Sequence, residues 1–223
     1  MSSERLDRAD PQSLANFIKA NTELLAPPLV PEILLHLAAE SLPIWQKTEE
    51  QLGEMNVPPP YWAFAWPGGQ ALARYLLDHP ETVRGKSVFD FGSGSGLVAL
   101  SAAKAGASLS IGNDHDLFAG TAMAMNSALN NIKITADTSN YLDQAVPAEI
   151  IVAGDVCYER EASSKILPWL RGLARDRYVL LADPGRHYAP TNGLKELARY
   201  EVPTSLDVEQ HAMRATTVWQ LLA

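Results

Sequence analysis

The chain has 223 residues, 47% of them hydrophobic, and carries a formal net charge of −8. This length allows one sizeable α/β domain with a terminal extension and is short for two full domains. The negative charge argues against nonspecific binding to nucleic acid, which needs a basic face to neutralise phosphates, and it favours a basic or neutral protein partner.

Compartment and metal content are predicted from simple patterns. The single cysteine, Cys157, cannot form an internal disulfide, and there is no C-x-x-C or H-E-x-x-H pattern that would suggest a metal site. The first ten residues lack the apolar run of a secretory signal, and no segment approaches the length of an apolar membrane span. We therefore expect a soluble, monomeric protein of the reducing cytoplasm, without a metal.

The first fifty or so residues are predicted to form a helical extension. Apolar residues recur at helical spacing over residues 13–25 and 31–40, and residues 43–52 are predicted as a third helix. We assign residues 1–57 to this extension, which would cover the sheet or grip a substrate. Residues 58–223 are assigned to the catalytic domain.

Four aromatic residues crowd into the next stretch, at Tyr61, Trp62, Phe64 and Trp66. Buried aromatic rings mainly serve packing, so two or three of these are expected to fill the core. Trp66 differs because it directly precedes a helix that runs to about Leu77, where backbone N–H groups are free. We expect its ring to line a cofactor pocket.

The stretch VFDFGSGSG predicts a strand, a tight turn and the start of a helix. Asp90 lies near the strand end, and glycines that permit positive φ follow at alternate positions from Gly92. The spacing is D-x-G-x-G-x-G, whereas a dinucleotide site has G-x-G-x-x-G. A carboxylate before the first glycine would repel a pyrophosphate but suits the ammonium and sulfonium of S-adenosylmethionine. The alternative is a glycine-rich turn that binds nothing.

Two further strands are predicted to end in acids. A helix over residues 97–105 leads to a strand that ends at Asp114, about twenty residues past the glycine turn, where nucleotide folds place a carboxylate on the ribose hydroxyls. Asp116 is either a solvated acid or the cap of the next helix, residues 117–130. The third strand delivers Asp137, which either accepts from the adenine amino group or serves as a turn residue.

The fourth strand leads into a second candidate site. An apolar run over residues 150–153 breaks into Asp155 and, three residues later, Tyr158. Such a pair can form a channel for an amine, in which the ring contacts the alkyl stem and the carboxylate orients the nitrogen. The alternative is that Tyr158 packs the strand end and Asp155 caps the next helix. Cys157 is expected to be a small buried hydrophobe rather than a nucleophile.

The C-terminal part completes an α/β pattern. A helix over residues 161–175 precedes a fifth strand, whose final turn carries Arg186 and His187. His187 is either a general base or, as is commoner for a loop histidine, simply solvated. A helix is predicted over residues 194–200, followed by two strands. This closing hairpin would leave a parallel sheet with one antiparallel strand.

Together these stretches resemble a known family. The segments that carry the resemblance are PPPYWAFAWPGGQALARYLL, VFDFGSGSGLVALSAAKAGA, NDHDLFAGTAMAMNSALN, AGDVCYE and ADPGRHYAP. From about Leu29 to the C-terminus the chain resembles the electron transfer flavoprotein β-subunit lysine methyltransferases and their bacterial relatives. The resemblance implies a Rossmann-like, mostly parallel seven-stranded sheet with helices on both faces.

The resemblance also implies a reaction and a set of residues. The cofactor is S-adenosylmethionine, and the substrate is a lysine of the flavoprotein subunit, of a ribosomal protein, or of both. Around the cofactor it places Trp66, Gly92, Ser93, Gly94 and Asp114. At the lysine it places Asp155 and Tyr158. One departure, His115 and Leu117 where relatives more often have isoleucine and proline, changes the turn after Asp114 rather than the acid itself.

The expected mechanism is in-line attack of the neutral lysine amine on the sulfonium methyl group, without a covalent intermediate and with no base that the sequence identifies. A nucleic-acid base methyltransferase is a second hypothesis, although Val156 and Cys157 replace the prolines of its motif. A binding module that has lost catalysis is a third. A nicotinamide oxidoreductase is disfavoured by the glycine spacing.

Overall fold

The computed structural model describes residues 6–38, 52–53, 56–204 and 212–223. The helices within these ranges are α1 (Pro11–Asn21), α2 (Pro67–Asp78), α3 (Leu97–Lys104), α4 (Leu117–Asn130) and α5 (Arg160–Leu173). The strands are β1 (Glu23–Leu25), β2 (Leu35–Leu37), β3 (Ser87–Phe91), β4 (Leu109–Asn113), β5 (Thr135–Asp137), β6 (Ile150–Gly154), β7 (Tyr178–Asp183), β8 (Leu194–Pro203) and β9 (Met213–Leu221).

Seven of these strands form one sheet in the order β5-β4-β3-β6-β7-β9-β8. The pairs from β5 to β7 are parallel, and β9 runs antiparallel to both of its neighbours. The predicted mostly parallel sheet with one antiparallel strand is therefore confirmed. The strand order reverses between β3 and β6, and such a switch point opens a crevice at the carboxyl ends of the strands.

Helices cover both faces of the sheet, because alternate strand residues point to opposite sides. Val88 and Leu180 belong to a buried cluster with residues of α2 and α3. Phe89 and Leu181 belong to a second cluster, with residues of α5. The predicted layer arrangement is confirmed, and each face of the central strands is apolar.

The N-terminal region differs from the predicted helical extension. Helix α1 starts after Asp10, whose carboxylate accepts hydrogen bonds from two backbone N–H groups of the first turn, and it ends at Asn21. The predicted helix over residues 31–40 is wrong within the described part, because β2 lies there and pairs antiparallel with β1. Leu35 and Leu37 alternate with half-exposed His36, which is the burial pattern of a strand. Residues 43–51 of the predicted third helix lie outside the described part of the chain.

The extension is packed into the catalytic domain. Leu35 and Leu37 share the buried cluster of α2 and α3, while Leu14 and Ile18 of α1 pack with Phe118 of α4. The boundary at residue 57 stays a prediction, but the described residues on its N-terminal side share their core with the sheet domain.

A second helix prediction, over residues 194–200, is also wrong. These residues belong to β8, which pairs with β9 along its whole length apart from an irregularity between Glu196 and Ala198. Leu, Lys, Glu and Ala all favour helix, but a long ladder of strand pairing outweighs such weak local preferences. None of the helices in the described ranges is long and apolar enough to cross a membrane.

Candidate active site

The end of β3 is tied to the glycine turn by a buried acid. Asp90 is 1% exposed. Its Oδ2 accepts hydrogen bonds from the Ser93 hydroxyl and, at 3.1 Å, from the backbone N–H of Ala99 in the first turn of α3. Burial raises the pKa of Asp90 to about 7, against the opposing effect of these two donors. One side chain thus fixes the strand, the turn and the helix start relative to one another.

The turn itself has the predicted backbone. Gly92, Gly94 and Gly96 have φ of 68°, 53° and 85°, a left-handed region that residues with a Cβ avoid. Gly96 is the N-cap of α3 and supplies no side-chain hydrogen bond, so the first N–H groups of this helix receive no cap from it. Such a turn lets a ligand approach the backbone closely.

Asp114 follows β4 and reaches back to this turn. Its Oδ2 accepts from the Gly94 N–H at 3.0 Å, and its Oδ1 accepts from the Asp116 N–H at 3.0 Å. A carboxylate offers about four acceptor positions, so these two bonds leave capacity for two hydroxyl donors. Asp116 instead caps α4 by accepting from the Phe118 N–H at 3.0 Å. The contact of Asp114 with ribose stays a prediction, supported by its position beside the turn.

Asp137 is engaged within its own loop. One carboxylate oxygen accepts from the Ser139 N–H at 2.8 Å and the other from the Tyr141 hydroxyl at 2.9 Å. Burial opposes ionisation of Asp137, but these hydrogen bonds together outweigh it and lower the pKa. This matches the turn-residue alternative. The contact with adenine stays a prediction.

A cleft opens between the glycine turn, the start of α2 and the end of β6. Its lining residues are Phe64, Ala65, Trp66, Gly69, Asp90, Gly92, Ser93, Gly94, Ser95, Leu97, Val98 and Gly154. Five of the predicted cofactor residues line it, namely Trp66, Asp90, Gly92, Ser93 and Gly94. Asp90 and the aromatic rings of this lining, with Asp114 beside the glycine turn, are the kinds of partner that the amino acid, ribose and sulfonium parts of S-adenosylmethionine require. The residues present therefore fit this cofactor.

Asp155 lies at the end of β6 and is held by groups from two distant stretches. It is 7% exposed and has a left-handed backbone, with φ of 56°. Its Oδ2 accepts from the N–H groups of Gly68 and Gly69 at the start of α2. Its Oδ1 accepts from the Nε of Arg186 at 2.8 Å and lies 2.7 Å from Nη2 of the same guanidinium. Burial raises the pKa of Asp155 to about 6, while Arg186 lowers it.

The neighbours of Asp155 were only partly foreseen. The predicted alternative was a cap for the helix that follows Asp155, whereas the carboxylate binds the start of α2, about 87 residues earlier in the chain. Arg186 had no role assigned from the sequence. A cation in the turn after the fifth strand, at the same sheet edge as the acid after the fourth, was the signal that could have identified the pair.

Exposed aromatic rings connect this edge with the cofactor cleft. Tyr158 is 51% exposed, and its ring centroid lies 5.6 Å from that of Tyr61. Tyr61 in turn lies 6.2 Å from Trp66, whose indole N–H donates to the Tyr61 carbonyl at 2.9 Å. Phe64 packs edge-to-face against Trp66, with ring centroids 5.7 Å apart. The three rings Tyr158, Tyr61 and Trp66 form a continuous wall that ends at the cleft.

Two of the four clustered rings of residues 61–66, Trp62 and Phe64, pack in or against a buried cluster, which agrees with the expected two or three. Trp62 is 2% exposed and stacks on Phe118 with centroids 6.0 Å apart. Tyr61 is 49% exposed, and Phe64 and Trp66 are half-buried. Phe64 and Trp66 both line the cofactor cleft.

Two reactive residue types prove unremarkable in their surroundings. Cys157 is buried, and burial together with the nearby Asp183 and Asp155 raises the pKa of its thiol to about 12. A thiol of this kind is inert, as predicted. His187 is exposed, with its ring edge against Tyr188 at 4.8 Å, which is the environment of a solvated loop histidine. A role as general base stays untested.

Known proteins share this fold and sequence. Residues 71–156 match the family described as ribosomal protein L11 methyltransferase (PrmA). Among solved structures, the ribosomal protein L11 methylase of Lactobacillus delbrueckii subsp. bulgaricus superposes with a TM-score of 0.50 at 20% identity, over 82% of this chain and 94% of that one. Magnesium protoporphyrin IX methyltransferase of Synechocystis PCC 6803 with bound SAM also gives 0.50, at 16% identity, over 81% and 88% of the two chains. These likenesses show the fold.

Sequence relatives show the family. The electron transfer flavoprotein beta subunit lysine methyltransferase of Xenopus laevis is 38% identical over 212 residues, which are 92% of this chain and 85% of the relative. The Homo sapiens protein of the same name is 36% identical over 221 residues, 94% and 82% of the two chains. The chain therefore belongs to the electron transfer flavoprotein beta subunit lysine methyltransferase family and is an S-adenosylmethionine-dependent methyltransferase.

Proposed function

We propose that the protein transfers methyl groups from S-adenosylmethionine to lysine side chains of the electron transfer flavoprotein beta subunit, the protein named for its relatives. A ribosomal protein is the second candidate substrate, because the family that matches residues 71–156 is described as a ribosomal protein L11 methyltransferase. The observation that carries the proposal is the aromatic wall, which runs from Tyr158 to Trp66 and so joins the acceptor edge to the cofactor cleft.

The chain's own groups account for cofactor binding. The glycine turn brings backbone N–H groups to the cleft, and Asp90 holds that turn in place. Asp114 has capacity for two ribose hydroxyls besides its bonds to the Gly94 and Asp116 N–H groups. When bound, the cofactor supplies a methyl group activated by a positively charged sulfur.

At the acceptor edge, the protein orients the amine. The rings of Tyr158 and Tyr61 wall the apolar stem of the lysine. Asp155, whose acceptor positions are all in use, acts on the amine indirectly, by fixing the start of α2 beside these rings. The amine must lose its proton to carry a lone pair, and water is the acceptor that we propose. Orientation of the two reacting groups can account for about 7 kcal/mol or more of the barrier.

Labelled S-adenosylmethionine tests the substrate directly. The flavoprotein subunit, a ribosomal protein and protein-free RNA and DNA are each incubated with the enzyme, and methylated lysine is sought by mass spectrometry. Labelled lysine in the flavoprotein subunit supports the proposal. Label on a ribosomal protein alone replaces the named substrate, and label on nucleic acid alone overturns lysine methylation. Cofactor binding without transfer to any of them indicates the binding module.

Tyr158 offers a variant that isolates the acceptor edge. Tyr158→Ala removes the outer ring of the wall, so we expect kcat/KM for the lysine substrate to fall about tenfold or more. Cofactor affinity, measured by calorimetry, should stay within about twofold because Trp66 and the glycine turn are untouched. Tyr158→Phe is the matched control, and it should retain most of the activity. Equal loss in both variants would contradict a walling role for the ring.

We also retain the proposal of a cytoplasmic monomer. The cytoplasmic location is supported by the single cysteine, buried and free, which is compatible with a reducing compartment. Light scattering on the purified protein should give the mass of one chain, and fractionation of cells should recover it with the cytosol.

A further inference from the structure

Arg186 connects two acids at the carboxyl ends of neighbouring strands. Its backbone N–H donates to Asp183 Oδ1 at 2.6 Å, directly after β7. Its guanidinium binds Asp155 Oδ1 after β6 through Nε at 2.8 Å and Nη2 at 2.7 Å. The Arg186 side chain is only 18% exposed. The residue is therefore built into the sheet edge rather than extended into solvent.

The carboxylate of Asp155 is saturated by these contacts. Oδ2 accepts from the N–H groups of Gly68 and Gly69, the latter at 3.2 Å, and Oδ1 accepts from two guanidinium nitrogens. Four donors match the roughly four acceptor positions of an ionised carboxylate. If Asp155 were protonated, the carboxyl group would become a donor and lose part of this capacity. At least one contact with α2 or with Arg186 would then be given up.

Trp66 depends on the same arrangement. It is the N-cap residue of α2, whose first turn Asp155 holds, and its ring lines the cofactor cleft. The guanidinium carbon of Arg186 lies 5.6 Å from the centroid of that ring, within the range of a cation–π contact. Arg186 thus restrains Trp66 directly through its ring and indirectly through Asp155.

We infer that Arg186 is a positioning residue of the methyl-transfer site, which keeps Asp155 ionised and holds the first turn of α2 and the Trp66 ring against the cofactor cleft. The inference rests on the proposed function and deepens it, because it says what holds the start of α2 and the Trp66 ring at the methyl-transfer site. It can be tested separately from that function, because its consequences are measured by cofactor binding and need no lysine substrate.

The charges around Asp155 give the inference a pH signature. Asp155 faces Arg186, Asp183 and Cys157, and the thiol stays neutral because its own pKa is raised to about 12. Burial and Asp183 raise the pKa of Asp155, whereas Arg186 lowers it. Removing the cation leaves the Gly68 N–H to oppose the raising influences of burial and Asp183, so the pKa of Asp155 moves up from about 6 towards neutrality. Below the new pKa, the ionised fraction falls about tenfold per pH unit.

The test is calorimetric binding of S-adenosylhomocysteine from pH 6.5 to 9.0, compared between wild type and Arg186→Met. We expect Arg186→Met to bind about threefold more weakly at pH 6.5, with a deficit that shrinks as the pH rises. Arg186→Lys, which keeps the charge, should restore most of the low-pH affinity. Arg199→Met removes a cation from an exposed pair with Glu196 and should match wild type at every pH.

A deficit of equal size at every pH, or no deficit, overturns the inference. If circular dichroism shows that Arg186→Met does not fold, Arg186→Gln replaces it, because the amide keeps a hydrogen-bond donor without the charge, and the same two outcomes decide. The wild-type enzyme's transfer to lysine is scored separately. Its absence would remove the proposed function and leave the binding result standing, whereas a pH-independent deficit would remove only the role of Arg186.

Discussion

Asp114 and Asp155 both follow parallel strands at the same sheet edge, but they differ in their free hydrogen-bond acceptor positions. The Asp114 carboxylate uses about half of them, and the Asp155 carboxylate uses all. Asp114 accepts from two backbone N–H groups and keeps capacity for further donors. Asp155 accepts from two N–H groups of α2 and from both nitrogens that Arg186 presents. An acid that binds a ligand must keep acceptor positions open, whereas an acid that fixes the structure uses them all.

The two regions also differ in how far apart their parts lie in the chain. Asp90, Ser93 and Ala99 form the centre of the glycine turn within ten residues. The partners of Asp155 are Gly68 and Arg186, 87 and 31 residues away. The cofactor side is therefore locally encoded, and the acceptor side depends on the packing of α2 against the ends of β6 and β7.

The largest effect is expected at the open carboxylate. Asp114→Ala removes the proposed ribose acceptor, and since a hydrogen bond to a charged group contributes about 1.5–3 kcal/mol, two such bonds predict at least a 100-fold loss of cofactor affinity. Calorimetry measures it. Asp116→Asn is the matched control, because it keeps the α4 cap and should change affinity less than about threefold. Full affinity in Asp114→Ala would show that the open acceptor positions do not serve the cofactor.

The contact between the start of α2 and Asp155 is tested by substituting two adjacent glycines. A Cβ at Gly68 would lie 2.5 Å from both the Ala182 carbonyl oxygen and Asp155 Oδ2, whereas a Cβ at Gly69 meets nothing within 4 Å. We expect Gly68→Ala to lower the free energy of unfolding by about 1–3 kcal/mol, the usual cost of overpacking. Gly69→Ala should be close to neutral in the same urea titration. Similar stability of both variants would mean that the approach of α2 to Asp155 is looser than described.

The smallest effect, counted per pH unit, concerns Asp90, which is buried like Asp155 but held by neutral donors alone. Burial raises the pKa of Asp90 from the ordinary aspartate value of 3.8 to about 7, so the folded protein holds the proton more tightly. This contribution to stability is fully present below about pH 4 and is lost as the pH rises through 7. Relative to Asp90→Asn, wild type should lose about 1 kcal/mol per pH unit across that window.

Urea unfolding between pH 4.5 and 8 measures this slope. Asp176→Asn serves as the control, because the side chain of Asp176 is 68% exposed and its replacement leaves the buried carboxyl group of Asp90 in place. A parallel pH dependence in wild type and Asp90→Asn would show that Asp90 is ionised in the fold throughout the range.

Much of the cofactor side could be predicted from the sequence. Asp90, Gly92, Ser93, Gly94 and Trp66 were predicted from the turn and from the resemblance, and all five line the cleft. Adjacent parallel strands then bring Asp114 to the turn, because β4 pairs with β3 in register. The strand, turn and helix signals are local, and the order of the strands follows from their connections.

The acceptor side was predicted in position but not in its contacts. Asp155 and Tyr158 do lie at the sheet edge, yet the bonds of Asp155 to α2 and to Arg186 join stretches that no spacing rule connects. The wrong helices have a similar cause. Residues 194–200 carry helix-forming side chains, and their pairing with β9 decides the strand.

The sequence by itself determined the sheet, the cofactor and the family, because each depends on patterns that span a few residues or on segments that resemble known ones. The tertiary structure alone decided that Asp155 is a saturated anchor, that Arg186 is its counter-ion and that Trp66 stands between the two sites. The physical reason is that hydrogen bonds and ion pairs between distant segments form only after α2, β6 and β7 have packed. The conformational preferences of short segments do not specify these contacts.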